Sequence, residues 1–88
     1  MWFIALVKLK VQPSKERAQA ANVRMAEAAK MGIKFHAAYH TLGRYDAVSI
    51  FEAPDEKAAM RYSMSGRDTE VVETLVAVTR EEVVSWMK

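Results

Sequence analysis

The chain of 88 residues contains no cysteine. This absence excludes disulfide bonds, thiol catalysis and zinc sites built from cysteine, and it agrees with the cytoplasmic location that we expect. A concentrated run of basic residues is missing too. The 13 Lys and Arg residues are scattered among 11 Asp and Glu residues, which leaves a net charge of +2. We therefore expect no nucleic-acid partner.

Long hydrophobic runs are also absent. The apolar segment 1–7 ends at Lys8, whereas a membrane-spanning helix needs about 20 apolar residues. No basic segment of a signal peptide precedes it, so we expect no association with a membrane. Without a linker, a repeat or a low-complexity segment, residues 1–88 are expected to form one domain.

Apolar residues are what the chain has in excess. They make up 51% of the sequence, yet a domain of this size buries only roughly 60–65% of the surface that its unfolded chain exposes. We therefore expect some apolar surface to be buried against a partner rather than inside one subunit.

The alternation of apolar and polar residues predicts four strands. They span 2–11, 33–41, 44–52 and 71–78. The facing of the fourth strand stays open, because Glu73 puts a polar residue on one side and Thr74 puts one on the other. Helical patterns lie between the first and second strands and between the third and fourth.

Capping residues mark the helices. Ser14 and Asp55 are suitable N-caps for two helices, which Gly32 and Gly66 end, and Thr79 opens a capping box for a short last helix. The resulting order, βαββαβ with a C-terminal helix, is the ferredoxin-like arrangement of the α+β class. Both helices then cover one face of a four-stranded antiparallel sheet and leave the other face open.

The register of the middle strands rests on a two-residue hairpin loop at Leu42-Gly43. In that register the helix-covered side holds the larger apolar residues, and the open side is mixed. The predicted helix-covered set is Ile33, Phe35, Ala37, Tyr39, Asp46, Val48, Ile50 and Glu52. The predicted open set is Lys34, His36, Ala38, His40, Tyr45, Ala47, Ser49 and Phe51. A slip of one residue would exchange the two sides.

The predicted open face is too apolar to stay in water. Its apolar members are Trp2, Ile4, Leu6, Tyr45 and Phe51. A patch of this kind exceeds the few hundred Å² that a monomer normally exposes. We therefore expect the sheets of two chains to pack face to face in a homodimer.

Four segments of the chain resemble a known family. They are Tyr39-His40-Thr41-Leu42-Gly43-Arg44-Tyr45-Asp46, Glu52-Ala53-Pro54-Asp55, and Thr74-Leu75 together with Thr79-Arg80-Glu81-Glu82. With these, essentially the whole chain resembles the GYD-domain family. The resemblance implies a dimeric α/β barrel, a superfamily that includes effector-binding domains, cofactor-free monooxygenases, small isomerases and haem enzymes. The chain departs from it at His40, where an aromatic residue such as Trp is expected.

The polar residues of the predicted open face form the candidate ligand-binding site. They are Lys34, His36, His40, Tyr45 and Ser49. The two histidines are four residues apart on one strand, a span of about 13 Å, so one subunit cannot hold a metal ion between them. Each imidazole is either a solvated surface group or a pocket group for ligand binding or proton transfer. We expect no metal and no cofactor.

Two cross-strand pairs in this site combine side chains that are suited to catalysis. A phenol beside an imidazole, as predicted for Tyr45 and His40, can hold an oxyanion or an enol, but it equally suits simple packing. The predicted pair of Ser49 and His36 resembles a nucleophile with its base. It lacks an orienting acid and an oxyanion hole, which argues against a hydrolase.

The motif residues Tyr39, Gly43, Tyr45 and Asp46 are expected to be structural. Asp46 is predicted on the helix side, where a carboxylate must be paired or hydrogen-bonded. Its expected donors are the Tyr39 hydroxyl or backbone N–H groups near a helix end. Arg44, at the hairpin, either binds an anionic ligand group or is solvated.

Three functional classes follow from these residues. We favour a small-molecule-binding module, because the candidate site is more polar than the core of an interface requires. The second class is a cofactor-independent enzyme, isomerase-like or monooxygenase-like, that acts on a small aromatic or carbonyl compound. The missing acid–base constellation argues against it. The third class is a purely structural or oligomerising protein. Whether any reaction is catalysed stays open.

Overall fold

The elements of the chain follow the predicted order. The computed structural model describes residues 1–87. Its elements are β1 (Trp2–Leu9), α1 (Lys15–Lys30), β2 (Lys34–His40), β3 (Ala47–Glu52), α2 (Glu56–Met64), β4 (Glu70–Ala77) and α3 (Arg80–Ser85). The four strands form one antiparallel sheet in the order β2-β3-β1-β4. The predicted ferredoxin-like α+β fold is therefore confirmed.

The helices begin at the predicted capping residues. The side chains of Ser14, Asp55 and Thr79 accept hydrogen bonds from the N–H groups of the third residue after them, at 3.2, 2.8 and 3.3 Å. Each bond satisfies an N–H group that the first helical turn leaves unpaired. Gly32, with φ +88°, follows the C-cap of α1. Within residues 1–87, no helix combines the length and hydrophobicity needed to cross a membrane.

Helices α1 and α2 cover one face of the sheet. Phe3 and Ala5 of β1 and Phe51 of β3 point to this face, and each is at most 2% exposed. They form one core with Ala28 of α1 and Ala58 of α2. Because the helical members are alanines, the helices contribute short side chains and the aromatic rings of the sheet fill the space between the layers.

The connection between β2 and β3 is wider than the predicted two-residue loop. β3 begins at Ala47, and the Thr41 N–H donates to the Asp46 carbonyl oxygen at 2.9 Å, which closes the turn. Consequently His40 pairs with Ala47 and not with Tyr45. The predicted register was wrong by two residues at this end of the hairpin.

A β-bulge at His36 shifts the register of β2 against β3 once more. On one side of it Phe35 pairs with Phe51, and on the other side Ala37 pairs with Ile50. The extra residue lets β2 present Phe35 to the helices and His36 to the opposite side. A bulge of this kind has no signature in the alternation of apolar residues, so the sequence did not predict it.

The assignment of faces was wrong for most of the hairpin. The structure places five residues of the predicted helix-covered set on the side away from the helices: Ala37, Tyr39, Val48, Ile50 and Glu52. It places Ala38, His40, Ala47, Ser49 and Phe51 on the helix side. The central strand β1 decides this, because Phe3 pairs with Phe51 and Ala5 pairs with Ser49, and paired residues share a face.

The facing of β4, which the sequence left open, follows from its pairing with β1. Glu73 lies opposite Leu6, on the side away from the helices. Thr74 lies on the helix side, where its hydroxyl shares a 2.7 Å hydrogen bond with Ser63 of α2. The Glu73 side chain can therefore make contacts on the side of the sheet that faces away from the helices.

Candidate ligand-binding site

The side of the sheet that faces away from α1 and α2 is called the uncovered face below. Its centre consists of Ile4, Leu6, Val48, Ile50 and Leu75. All five are branched apolar residues, and none of them reaches the burial of the core; Leu75 is 47% exposed. Because the branched residues of β3 turn to this side, the uncovered face is more apolar than the sequence predicted.

A cleft of about 240 Å³ lies at one end of the uncovered face. It is lined by Leu6, Lys8, Arg44, Tyr45, Val71 and Glu73 and is called the Tyr45 cleft below. Leu6 and Val71 provide apolar walls, and the other four side chains carry charge or a hydroxyl. An apolar site with a few convergent polar groups is the usual composition of a small-molecule pocket.

Three hydrogen bonds to backbone groups hold the turn residues beside this cleft. Asp46 donates its N–H to the Val7 carbonyl oxygen at 2.8 Å, and its carboxylate accepts from the Leu9 N–H at 2.7 Å. On the other side, the Thr41 hydroxyl donates to the Tyr45 carbonyl oxygen at 2.7 Å. The residue between these anchors, Tyr45, is thereby directed across the end of β1.

The Tyr45 hydroxyl donates a 2.6 Å hydrogen bond to Glu73 Oε2. This bond joins the turn before β3 to β4, so it crosses the central strand β1, which lies between them. The bond to Glu73 raises the pKa of the Tyr45 phenol above its ordinary value, because the carboxylate keeps the proton on the phenol. Partial desolvation acts in the same direction, and the Arg44 cation acts against it.

Two cations complete the cleft. The Arg44 guanidinium lies 5.6 Å from the centre of the Tyr45 ring, a cation–π distance. In the part of the chain that the structure describes, neither Arg44 nor Lys8 has a carboxylate oxygen within 4.0 Å. The arrangement can therefore bind an anionic group, and the phenol can donate or relay a proton through Glu73.

A second polar cluster lies at the opposite end of the uncovered face. The His36 ring stacks on Trp2 with centroids 4.4 Å apart, and its Nε2 lies 2.8 Å from Glu52 Oε1. Trp2 and Lys8 lie six positions apart on β1, which corresponds to about 20 Å of strand. This cluster and the Tyr45 cleft are therefore separate sites within one chain.

The structure does not bring the predicted site residues together. Tyr45 lines the cleft, while His36 and Lys34 lie at the far end of the same face. His40 and Ser49 lie on the helix side, opposite Ala47 and Ala5. The predicted pairs of Tyr45 with His40 and of His36 with Ser49 are both corrected by the observed register.

Two of the motif residues have a visible structural reason. Gly43 has φ +100°, and an added Cβ would meet nothing within 4 Å, so the backbone conformation and not the space favours glycine there. The Asp46 carboxylate accepts a hydrogen bond from a backbone N–H group, which was one of the two expected kinds of donor. This N–H group belongs to Leu9 in β1 and not to a helix end. Tyr39, whose hydroxyl was the other expected donor to Asp46, is 61% exposed.

Sequence reasoning missed Glu73 and Lys8 as site residues. Both are polar residues in strands whose other positions on this face are apolar, and both flank Leu6 in the assembled sheet. The alternation of β1 already put Lys8 on the open side. The role of Glu73 required the pairing of β4 with β1, which no local pattern supplies.

A broader depression of about 340 Å³ is lined by Leu9, Lys10, Val11, Gln12, Pro13 and Asp46. Its carboxylate already serves the Leu9 N–H group, and its floor is an irregular segment, so the Tyr45 cleft is the better candidate. Residues 1–87 contain no group of three or more His, Asp or Glu side chains placed to hold a metal ion.

Comparison with known proteins identifies one family. No curated protein matches the chain at a significant level. The model of the GYD domain matches residues 3–87, which is nearly the whole chain and includes every residue of the Tyr45 cleft. The chain therefore belongs to the GYD domain family.

Proposed function

We propose that this chain is a small-molecule-binding module that works as a homodimer, with its ligand in the Tyr45 cleft. The cleft carries the proposal, because it joins apolar walls to convergent polar groups at the border of a large apolar face. The absence of cysteine agrees with the cytoplasm as the compartment in which the module works.

The uncovered face supports the homodimer. Ile4, Val48 and Ile50 lie at its centre on the side away from α1 and α2, and Val71 on its border is 54% exposed. Contiguous apolar surface of this kind marks an interaction site in soluble proteins. A second copy of the same face is apolar in the same way, so two copies can bury each other in a two-fold arrangement.

The dimer would also complete the ligand site. Ligand pockets commonly enclose about 300–1,000 Å³, whereas the cleft of one chain measures about 240 Å³ and is open to one side. A second sheet packed on the uncovered face would supply the missing wall. The site would then exclude water from a ligand that lies on Leu6 and Val71.

The hydrogen bond between Tyr45 and Glu73 favours one second candidate, a cofactor-independent isomerase-like enzyme. A phenol that shares its proton with a carboxylate at 2.6 Å can protonate one atom of a substrate while the carboxylate accepts a proton from another. This activity would act on a small carbonyl compound in the same cleft. Binding remains the first proposal, because it requires only the walls and charges of the cleft.

The proposal is tested with four small aromatic compounds: benzoate, benzyl alcohol, benzylamine and indole. Each is titrated into protein labelled with ¹³C at methyl groups, and the resonances of Leu6 and Val71 are followed. We expect at least one compound to shift both resonances in a saturable manner. The methyl groups of Val23, which lies on α1 and is 62% exposed, serve as the internal reference and should not move.

Two matched variants locate the binding. Val71→Trp fills the cleft and is expected to abolish the saturable shift at Leu6. Val23→Trp changes a similarly exposed valine on the other side of the molecule and should leave the shift intact. If none of the four compounds shifts Leu6 or Val71, the binding proposal is wrong and a purely oligomerising protein becomes the better description.

A further inference from the structure

We infer that the ligand of the Tyr45 cleft is a small organic monoanion with a flat apolar body, such as an aromatic carboxylate. This inference rests on the proposed function and adds the chemical class of the ligand. Lys8 and Arg44 would bind the anionic group, and Leu6 and Val71 would contact the body.

The charges of the cleft do not cancel. Its lining includes two cations, Lys8 and Arg44, and one carboxylate, Glu73, so one positive charge is left over. Elsewhere the chain pairs such groups when they are close, as between Arg24 and Glu70 at 2.9 Å. The cleft therefore carries an excess positive charge, and this charge favours a ligand of negative charge.

The carboxylate of Glu73 is directed at the Tyr45 hydroxyl and not at either cation. Its Oε2 accepts the Tyr45 hydroxyl proton at 2.6 Å, and neither carboxylate oxygen lies within 4.0 Å of a cation in residues 1–87. The carboxylate is thus engaged by a neutral donor. Lys8 and Arg44 keep their hydrogen-bond donors for another acceptor, and a carboxylate group suits the planar guanidinium of Arg44.

Coverage by a second sheet increases the preference for an anion. An uncompensated cation in water is well solvated, but the same cation beneath a second apolar face loses that solvation. An anionic ligand restores the balance of charge, whereas a neutral ligand leaves one positive charge uncompensated. A cationic ligand would add to the imbalance.

The shape of the cleft selects the body of the ligand. Leu6 and Val71 offer branched apolar contacts, and the Tyr45 ring offers a flat one, although Arg44 already lies against one side of this ring. A volume of about 240 Å³ suits a single ring with one substituent better than a nucleotide or a long chain. The inferred class is therefore a carboxylate with a single flat ring.

The same titrations distinguish this inference from the proposed function. Benzoate is expected to bind at least tenfold more tightly than benzyl alcohol, and benzylamine is expected to give no saturable shift. The affinity for benzoate should fall as salt is raised, while that for benzyl alcohol should stay nearly constant. If benzyl alcohol or benzylamine binds as tightly as benzoate, the inferred class is wrong and the binding proposal still stands. If no compound binds, the proposed function itself fails.

Charge variants test the assigned residues. Lys8→Gln and Arg44→Gln are each expected to reduce the ratio of benzoate affinity to benzyl alcohol affinity several-fold. Arg61→Gln, an exposed arginine on α2, provides the control and should keep the ratio of the unmodified protein. A ratio that stays the same in both cleft variants would overturn the assignment of Lys8 and Arg44 to the anionic group.

Discussion

Gly66 lies so close to Arg24 that a Cβ atom at position 66 would stand 2.5 Å from the Arg24 Nη2 atom. The same Cβ would stand 2.6 Å from Glu70 Oε1, the partner of Arg24 in a 2.9 Å ion pair. Arg24 Nε also donates to the Ser65 hydroxyl at 3.2 Å. Glycine therefore leaves the space in which α1 is tied to β4 and to the end of α2.

Gly66→Ala is expected to lower the free energy of unfolding by about 1 kcal/mol or less, because the atoms that meet the new methyl group are the ends of two flexible side chains, which move aside and weaken the ion pair without losing either partner. The side chains of Arg24 and Glu70 are only 23% and 14% exposed, so water replaces the weakened contact incompletely. Urea unfolding measures the change. In an Arg24→Ala background the same substitution should cost much less, and an equal loss in both backgrounds would contradict the steric explanation.

Asp46→Ala is expected to destabilise the chain by about 1–3 kcal/mol, since the Leu9 N–H group loses its 2.7 Å acceptor at the end of β1. Asp46→Asn should cost less, because the amide oxygen can still accept this hydrogen bond. Thermal unfolding of the two variants provides the comparison. An unchanged midpoint for the alanine variant would show that the carboxylate has no structural role.

The stability of the fold is expected to decrease at alkaline pH. Burial raises the pKa of Tyr62, which packs with Phe35 and Phe51, above the ordinary value of 10.0. Because the folded chain holds this proton more tightly than the unfolded chain, the stabilisation is complete below about pH 10 and is lost as the pH rises through the folded pKa. Tyr45 contributes in the same direction but less, since its phenol is open to solvent.

Urea unfolding between pH 8 and pH 11 tests the alkaline loss, and absorbance at the tyrosinate band reports the ionisation itself. Tyr62→Phe should remove most of the pH dependence in this window, whereas Tyr45→Phe should remove little of it. A Tyr62→Phe variant that keeps the full alkaline loss would place its origin in another group.

The homodimer is tested by a charge at the centre of the uncovered face. The unmodified protein is expected to sediment at about twice its chain mass of 9.9 kDa. Ile50→Lys should sediment as a monomer, because the ammonium group would be buried without a partner between two apolar faces. Met60→Lys, at a 62% exposed position on α2, is the control and should remain a dimer. A monomeric unmodified protein at micromolar concentration would refute the proposed pairing.

Part of the candidate site could be predicted from the sequence, and part could not. Tyr45 and the apolar residues Ile4 and Leu6 lie on the predicted side, because the alternation of β1 and the motif before β3 are local features. His40 and Ser49 were placed on the wrong side, because their facing depends on how β3 pairs with β1 and on the width of the turn. Glu73 joined the site only through the pairing of β4 with β1.

The sequence by itself determined the element order and the ends of the helices. Capping side chains such as Ser14 and Asp55 accept hydrogen bonds from N–H groups three residues away, so the helix starts depend on residues that are close in sequence. Only the tertiary structure decided which side of the hairpin meets the helices. Phe51 is buried because it pairs with Phe3, a residue distant in sequence, and this contact outweighs the local preference of Val48 and Ile50 for a buried side.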